Sequence, residues 1–240
     1  MIVETQILGA NSINRHEEGN RRYYTVQGGE LVSGIKLPNV TSILGIVNRP
    51  GLINWAVKLT KQGEDHNVER DKAAELGTQV HKAIQYHLSE GKVNANDYEL
   101  EVLAMLGRWV EWYEDSGISI IATEKMIYHP YHKYAGTVDA LGMDSNGKLV
   151  VLDWKSGGIW PEMAVQVSAY ARAVECLVEN FITVKDEKCP AMRAIIVGLG
   201  QSPAEVKEVD SIDYCFHIFI NAKGIYSNLK DTKQVSVWKR

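Results

Sequence analysis

The sequence predicts an α/β (α+β) fold: a mixed central β-sheet flanked by helices, with a hairpin and helical region ahead of it. Three observations carry that expectation. Through the first half, apolar residues recur every three or four positions, as at Leu100, Leu103, Leu106, Val110 and Tyr113, the spacing of a helix that buries one face. After Gly117 the pattern changes to β-rich runs, and Asn146-Gly147 between two of them is a hairpin turn signal. A helical stretch opening at Pro161 then separates those runs from two further apolar segments. No repeat, low-complexity tract or linker divides the 240 residues. The expectation is one domain over 1–240, with the hairpin and helical region at 1–116 and the sheet core at 117–240.

In order, "RRYYTVQ" and "ELVSGIKLP" flank Gly28-Gly29 and read as the two strands of a hairpin. "NVTSILGIV" reads as a helix capped by Thr41 and Ser42, and Pro50 suits the first turn of the next, "PGLINWAVKLT". Residues 67 to 89 read as one longer helix, broken or bent near Gly77. "DYELEVLAMLGRWVEWYED" is another, ended by Gly117 as its C-cap. "ISIIATEKMIYH", "KYAGTVDALGMD" and "GKLVVLDWK" read as three strands. "EMAVQVSAYARAVECLVENF" is helical, and "AMRAIIVGLG" and "DYCFHIFIN" read as two closing strands before a charged tail.

Composition excludes little. Apolar residues make up 45% and charged residues 23%, ordinary for a globular protein, and the net charge of −4 gives no overall pull toward nucleic acid. An acidic metal site would itself lower the balance. Cys176, Cys189 and Cys215 form no CxxC pair, so neither a zinc knuckle nor an iron–sulfur cluster is expected, and reduced thiols are the simplest reading. The start, "MIVETQILGA", lacks a signal-peptide pattern and no apolar run reaches spanning length, so an intracellular protein with no membrane partner is expected.

The chemistry sits in "GTVDALGMDSNGKLVVLDWKSG". Strand alternation puts Asp153 and Lys155 on one face and Trp154 on the other, with Asp139 expected at the end of the preceding strand. Neighbouring carboxylates resist joint ionisation unless a cation lies between them, and a hard divalent ion such as Mg²⁺ suits a few carboxylates plus water. Taken alone, the three residues better fit a surface hairpin in which Lys155 pairs with one aspartate and nothing binds.

Set in order along the chain, these motifs resemble the PD-(D/E)xK nuclease superfamily: "GTVDA" with Asp139 as the first acid, and "VVLDWKSG" with Asp153-Trp154-Lys155 as the D-x-K. Two flanking motifs resemble its RecB-like branch. "ELGTQVHKAIQYHL" is similar to the G-T-x-x-H motif and places His81, and "QVSAYA" is similar to Q-x-x-x-Y and places Gln166 and Tyr170. "LPNVTSIL" followed by "LINWAVK" also looks like phage exonucleases and the mitochondrial genome maintenance exonuclease group. The resemblance implies a restriction-endonuclease-like sheet core with His81, Asp139, Asp153 and the Trp154 backbone carbonyl holding Mg²⁺ or Mn²⁺. Lys155 would position the nucleophile, and Gln166 and Tyr170 would orient the site or touch the DNA backbone. Glu124 is an auxiliary acid by the same comparison, equally well read as a solvated strand glutamate.

The function the resemblance implies is hydrolysis of DNA phosphodiesters to 5′-phosphate and 3′-hydroxyl products. The expected enzyme is an exonuclease on DNA ends or single strands in phage-type recombination, replication or repair, in the host cytoplasm if phage-encoded. A recombination or single-strand-binding protein would be its partner. A structure-specific endonuclease and a non-catalytic DNA- or protein-binding module on the same fold are the alternatives. Further expectations are a helical arch over the sheet from residues 40 to 116, and loop or phosphate-contact roles for His129 and His132. Trp55, Trp109, Trp112 and Tyr113 either stack on bases or, as their helical spacing favours, pack in the core.

Overall fold

A computed structural model describes residues 2–19, 21–29, 32–47, 50–182 and 191–231. Cys189 and the charged tail after 231 lie outside the described residues. The chain builds an α+β architecture from two sheets. Strands β1 (Ile2–Leu8), β2 (Asn11–Glu18), β3 (Arg21–Gln27) and β4 (Leu37–Pro38) form an antiparallel sheet in sequence order. Helices α1 (Val40–Leu44), α2 (Pro50–Lys61), α3 (His66–Glu90) and α4 (Leu100–Asp115) follow. The second sheet runs β5 (Ile118–His129), β6 (Tyr134–Asp144), β7 (Leu149–Lys155), β8 (Met192–Gly198) and β9 (Glu205–Glu208), again in sequence order. It is mixed, because β7 and β8 pair in parallel while the other neighbours are antiparallel. That parallel pair requires a crossover, which α5 (Pro161–Glu175) opens. Helix α6 (Ile212–Asp231) closes the described chain.

The second sheet is covered on both faces, so its middle strands are buried almost continuously rather than alternating. On one face Leu149 and Val151 of β7 join Val167 and Val174 of α5, Phe219 of α6, Ile43 of α1 and Ile13 and Tyr24 of the first sheet. On the other, Val150, Leu152 and Trp154 meet Val80 and Ile84 of α3 and Val102 and Trp109 of α4. Among the described residues no helix is long and apolar enough to cross a membrane.

Several expectations are corrected here. "DYCFHIFIN" is not a strand; it lies in α6, where Phe216, Phe219 and Ala222 are buried at helical spacing. Ser211 starts that helix, its Oγ accepting from Tyr214 N at 3.2 Å. The closing strand is instead the short β9. "ELVSGIKLP" supplies only the two residues of β4, opposite Tyr23 and Tyr24, so the turn after β3 is a loop rather than a tight hairpin. Helix α3 runs unbroken through Gly77, and Asn39 rather than Thr41 is the N-cap residue of α1. Helix α5 ends at Glu175 and a short 3-10 turn at 178–180 follows. Gly117 does follow the end of α4 with φ +64°, the left-handed position glycine fills without strain.

No single arch forms from 40 to 116. Val40 and Ile43 of α1 pack in the layer of α5 and α6, whereas α3 and α4 cover the opposite face. Trp109 is fully buried, with Tyr113 stacked on it at 4.8 Å, so these aromatics are core. His129 is a core residue as well, not a phosphate contact. Its ring stacks on Phe216 at 5.9 Å and its Nδ1 accepts from His132 N at 3.2 Å. Burial, with His132 and Arg172 adding to it, lowers its pKa to about 4, which keeps the imidazole neutral.

Candidate metal centre

Strand β7 carries the D-x-K residues into the crease between the two layers. Its alternation turns Asp153 toward α5 and sends the Trp154 indole to the far side, where it meets Trp109 edge-on at 5.8 Å. The large indole is thus an anchor, and its own peptide group is left for the site. Asp139, midway along β6 rather than at its end, accepts from Trp154 N through Oδ2 at 2.9 Å. From α3, His81 places Nε2 at 3.2 Å from the Trp154 carbonyl oxygen. A carbonyl only accepts, so Nε2 carries the proton and Nδ1 faces the carboxylates. Nδ1 lies 3.6 Å from Asp139 Oδ1 and 3.6 Å from Glu124 Oε1.

Asp153 is held separately. Its Oδ1 accepts from Gln166 Nε2 at 3.1 Å, and its Oδ2 pairs with Lys155 Nζ at 2.6 Å. Gln166 also reaches the Tyr170 hydroxyl at 3.3 Å, so the two α5 residues, one turn apart, share a face toward the site. The structure therefore brings together His81, Asp139, Asp153, Lys155, Gln166 and Tyr170 from four elements, α3, β6, β7 and α5.

Burial raises the pKa values of both aspartates. Asp139 is raised by desolvation against the pull of His81 and Lys155. Asp153, only 1% exposed, is raised to about 6 by desolvation, with Lys155 opposing and Asp139 adding to the rise. Desolvation lowers His81, but Asp139 and Glu124 outweigh it and bring the imidazole to about 9. Two acids that resist ionising, beside bases that resist losing protons, mark a site short of positive charge.

Among the described residues, the set of His and carboxylate groups whose ligand atoms all lie within 4.8 Å of one another is His81, Glu124 and Asp139. Glu124, which the sequence leaves as an auxiliary acid, thus stands inside the cluster, while the Asp153 oxygens are engaged by Gln166 and Lys155. The Trp154 carbonyl receives His81 Nε2 on one lone pair and keeps its second. Carboxylate and carbonyl oxygens with one imidazole nitrogen are a donor set that could hold a divalent metal ion. Glu124 also has φ +49°, a left-handed conformation that costs a non-glycine residue about 1–2 kcal/mol.

The glycine of "GTVDA" has a packing role that spacing does not reveal. A Cβ at Gly136 would lie 2.5 Å from Tyr170 Cε1, so β6 must present bare backbone for that ring to lie against it. Gly136→Ala is expected to cost about 1–3 kcal/mol of stability by urea unfolding. The loss should shrink in a Gly136→Ala/Tyr170→Leu protein, where the clashing ring is gone.

No known sequence family matches the chain, and no curated protein matches it either. Among solved structures, one described as the crystal structure of SSO0001 is similar over 63% of this chain and 74% of that one, with 16% identity and a TM-score of 0.31.

Proposed function

We propose that the chain is a Mg²⁺- or Mn²⁺-dependent deoxyribonuclease of the PD-(D/E)xK type with a restriction-endonuclease-like core. In this reading it is an exonuclease on DNA ends or single strands, serving phage-type recombination, replication or repair. The observation that carries the reading is the pair of buried aspartates, Asp139 accepting from the Trp154 amide and Asp153 one residue before it on β7, with Lys155 paired to Asp153.

The residues divide the work by position. His81 Nδ1, Asp139 and Glu124 present ligand atoms to one point, with Asp153 and the Trp154 carbonyl bordering it. A divalent ion bound there supplies a water of lowered pKa and positive charge for the phosphate oxygens. The Lys155 ammonium, held in its charged form by Asp153 and Asp139 against burial, offers N–H donors to the attacking water or a phosphate oxygen. Gln166 fixes the Asp153 carboxylate by donating to Oδ1, leaving Oδ2 for Lys155.

The deciding measurement is digestion of end-labelled linear DNA, single- and double-stranded, beside closed circular DNA in Mg²⁺, Mn²⁺ or EDTA. The expected result is metal-dependent loss of linear DNA with the circle intact. Equal activity in EDTA sinks the metal mechanism, and digestion of the circle turns the reading to an endonuclease. Binding without turnover in any metal returns it to a non-catalytic module.

A further inference from the structure

We propose that Gln6, on the edge strand of the first sheet, is a positioning residue that sets Glu124 as a metal-holding carboxylate. The inference rests on the reading of the centre as a metal site.

Strand β5 is an edge of the five-stranded sheet, so its outer row of backbone groups has no strand partner within that sheet. Gln6 reaches this edge from β1 with its side chain alone. Its Nε2 donates to Glu124 O at 2.8 Å, and its Oε1 accepts from Met126 N at 2.9 Å. One carboxamide thereby does what the peptide of a neighbouring strand would do, bonding a carbonyl and the amide two residues on. The side chain is itself held, because Nε2 also donates to Glu4 Oε1 at 2.9 Å and Glu4 pairs with Arg15 at 3.1 Å.

The bonded stretch contains the strained residue. On either side of Glu124 the β5–β6 ladder is regular, with Thr123 opposite Ala140 and Lys125 opposite Val138. Between those two rungs Glu124 adopts φ +49°, and its carboxylate lies in the cluster with Asp139. An L-residue held in that region inside a strand needs surroundings that over-determine it, and such strain gathers at functional sites. Here the two Gln6 bonds clamp the backbone from the Glu124 carbonyl to the Met126 amide. The carboxylate carried by that backbone is the one that ends 3.6 Å from His81 Nδ1 and within the cluster shared with Asp139. Without Gln6, the freed carbonyl and amide turn to water, Glu124 relaxes to an extended backbone, and its carboxylate leaves the cluster.

The test is calorimetric titration with Mn²⁺ alone, without DNA, on wild type, Gln6→Ala, Glu124→Ala and the double variant. Gln6→Ala is expected to weaken Mn²⁺ binding by about 10-fold, the usual scale for a residue that orients a ligand. Glu124→Ala is expected to weaken it at least as much, and adding Gln6→Ala to it to change nothing further. Gln6→Glu, which keeps the acceptor for Met126 N and removes the donor to Glu124 O, carries the same comparison if Gln6→Ala does not fold. Wild-type affinity in the Gln6 variant overturns the inference. So does a loss that persists undiminished in the Glu124→Ala background, since that marks general loosening of the strand. Absence of Mn²⁺ binding to the wild type is a different failure, that of the metal site itself.

Discussion

Asp153→Asn is expected to yield a protein that no longer cleaves DNA yet unfolds, without metal, at a higher temperature than the wild type. The carboxyl titrates near the ordinary 3.8 when the chain is unfolded and at about 6 in the fold, because desolvation outweighs the attraction of Lys155. Between those values the folded state binds more protons than the unfolded one, so stability falls as pH rises from about 4 to 6 and stays reduced above. At pH 7.5 the ionised Asp153 therefore works against folding, by up to about 3 kcal/mol for a shift of about two units. Asparagine keeps the shape and the neutral state. A gain of about 1–3 kcal/mol at pH 7.5, shrinking toward pH 4, is the expected outcome of denaturant unfolding at several pH values. Mn²⁺ should stabilise the wild type, by about 2.7 kcal/mol at one hundred times its dissociation constant, and stabilise Asp153→Asn less, since a charge bordering the His81, Glu124 and Asp139 cluster is gone. A variant that loses stability at every pH would show that the aspartate is structural.

Lys155→Ala is expected to lose activity as well, but with the opposite effect on stability. Its ammonium is 2.6 Å from a carboxylate that has almost no solvent, and removing it strands that carboxylate. Breaking a fully buried pair costs about 3–5 kcal/mol; with the lysine side chain 23% exposed, about 1–3 kcal/mol is expected at pH 7.5. Cleavage should fall on the order of 10²–10³-fold, the scale for one donor aimed at developing charge. The pair of variants separates chemistry from folding, since both silence the site while their melting temperatures move in opposite directions. Retained cleavage in Lys155→Ala would remove that residue from the mechanism.

The strands and helices that are long or sharply punctuated are readable in the sequence. The three strands from Ile118 to Lys155 and the helices opened by Pro50 and Pro161 appear where β-rich runs, helical spacing and turn residues put them. Residues 212–220 mislead because aromatic and β-branched residues crowd into a short apolar run, where length and caps rather than period decide. The cap, Ser211, is present and outweighs the β-propensity of that run. Strands β1 and β2 escape notice because "NSINRHEE" has few apolar residues to alternate. At the site, His81, Asp139, Asp153, Lys155, Gln166 and Tyr170 are all visible as motif residues, and the structure gathers them. Glu124 is visible only as an acid on a strand. Its place beside His81 depends on a backbone torsion and on a glutamine 118 residues away, neither of which leaves a local pattern. Gly136 is likewise legible only once the Tyr170 ring lies against it.

The parallel pairing of β7 with β8 has a consequence for how the protein comes into being. Asp153, Trp154 and Lys155 stand opposite Ile196, Val197 and Gly198, so the rungs carrying them close only when β8 arrives, after α5 has crossed over. Long-range pairing of this kind is slow compared with hairpins and helices. During synthesis the two antiparallel hairpins of β5, β6 and β7 emerge first, with Asp153 still on the open edge of β7. The centre is therefore among the last parts of the chain to be assembled, and a fragment ending before β8 holds its acids without the frame that aligns them.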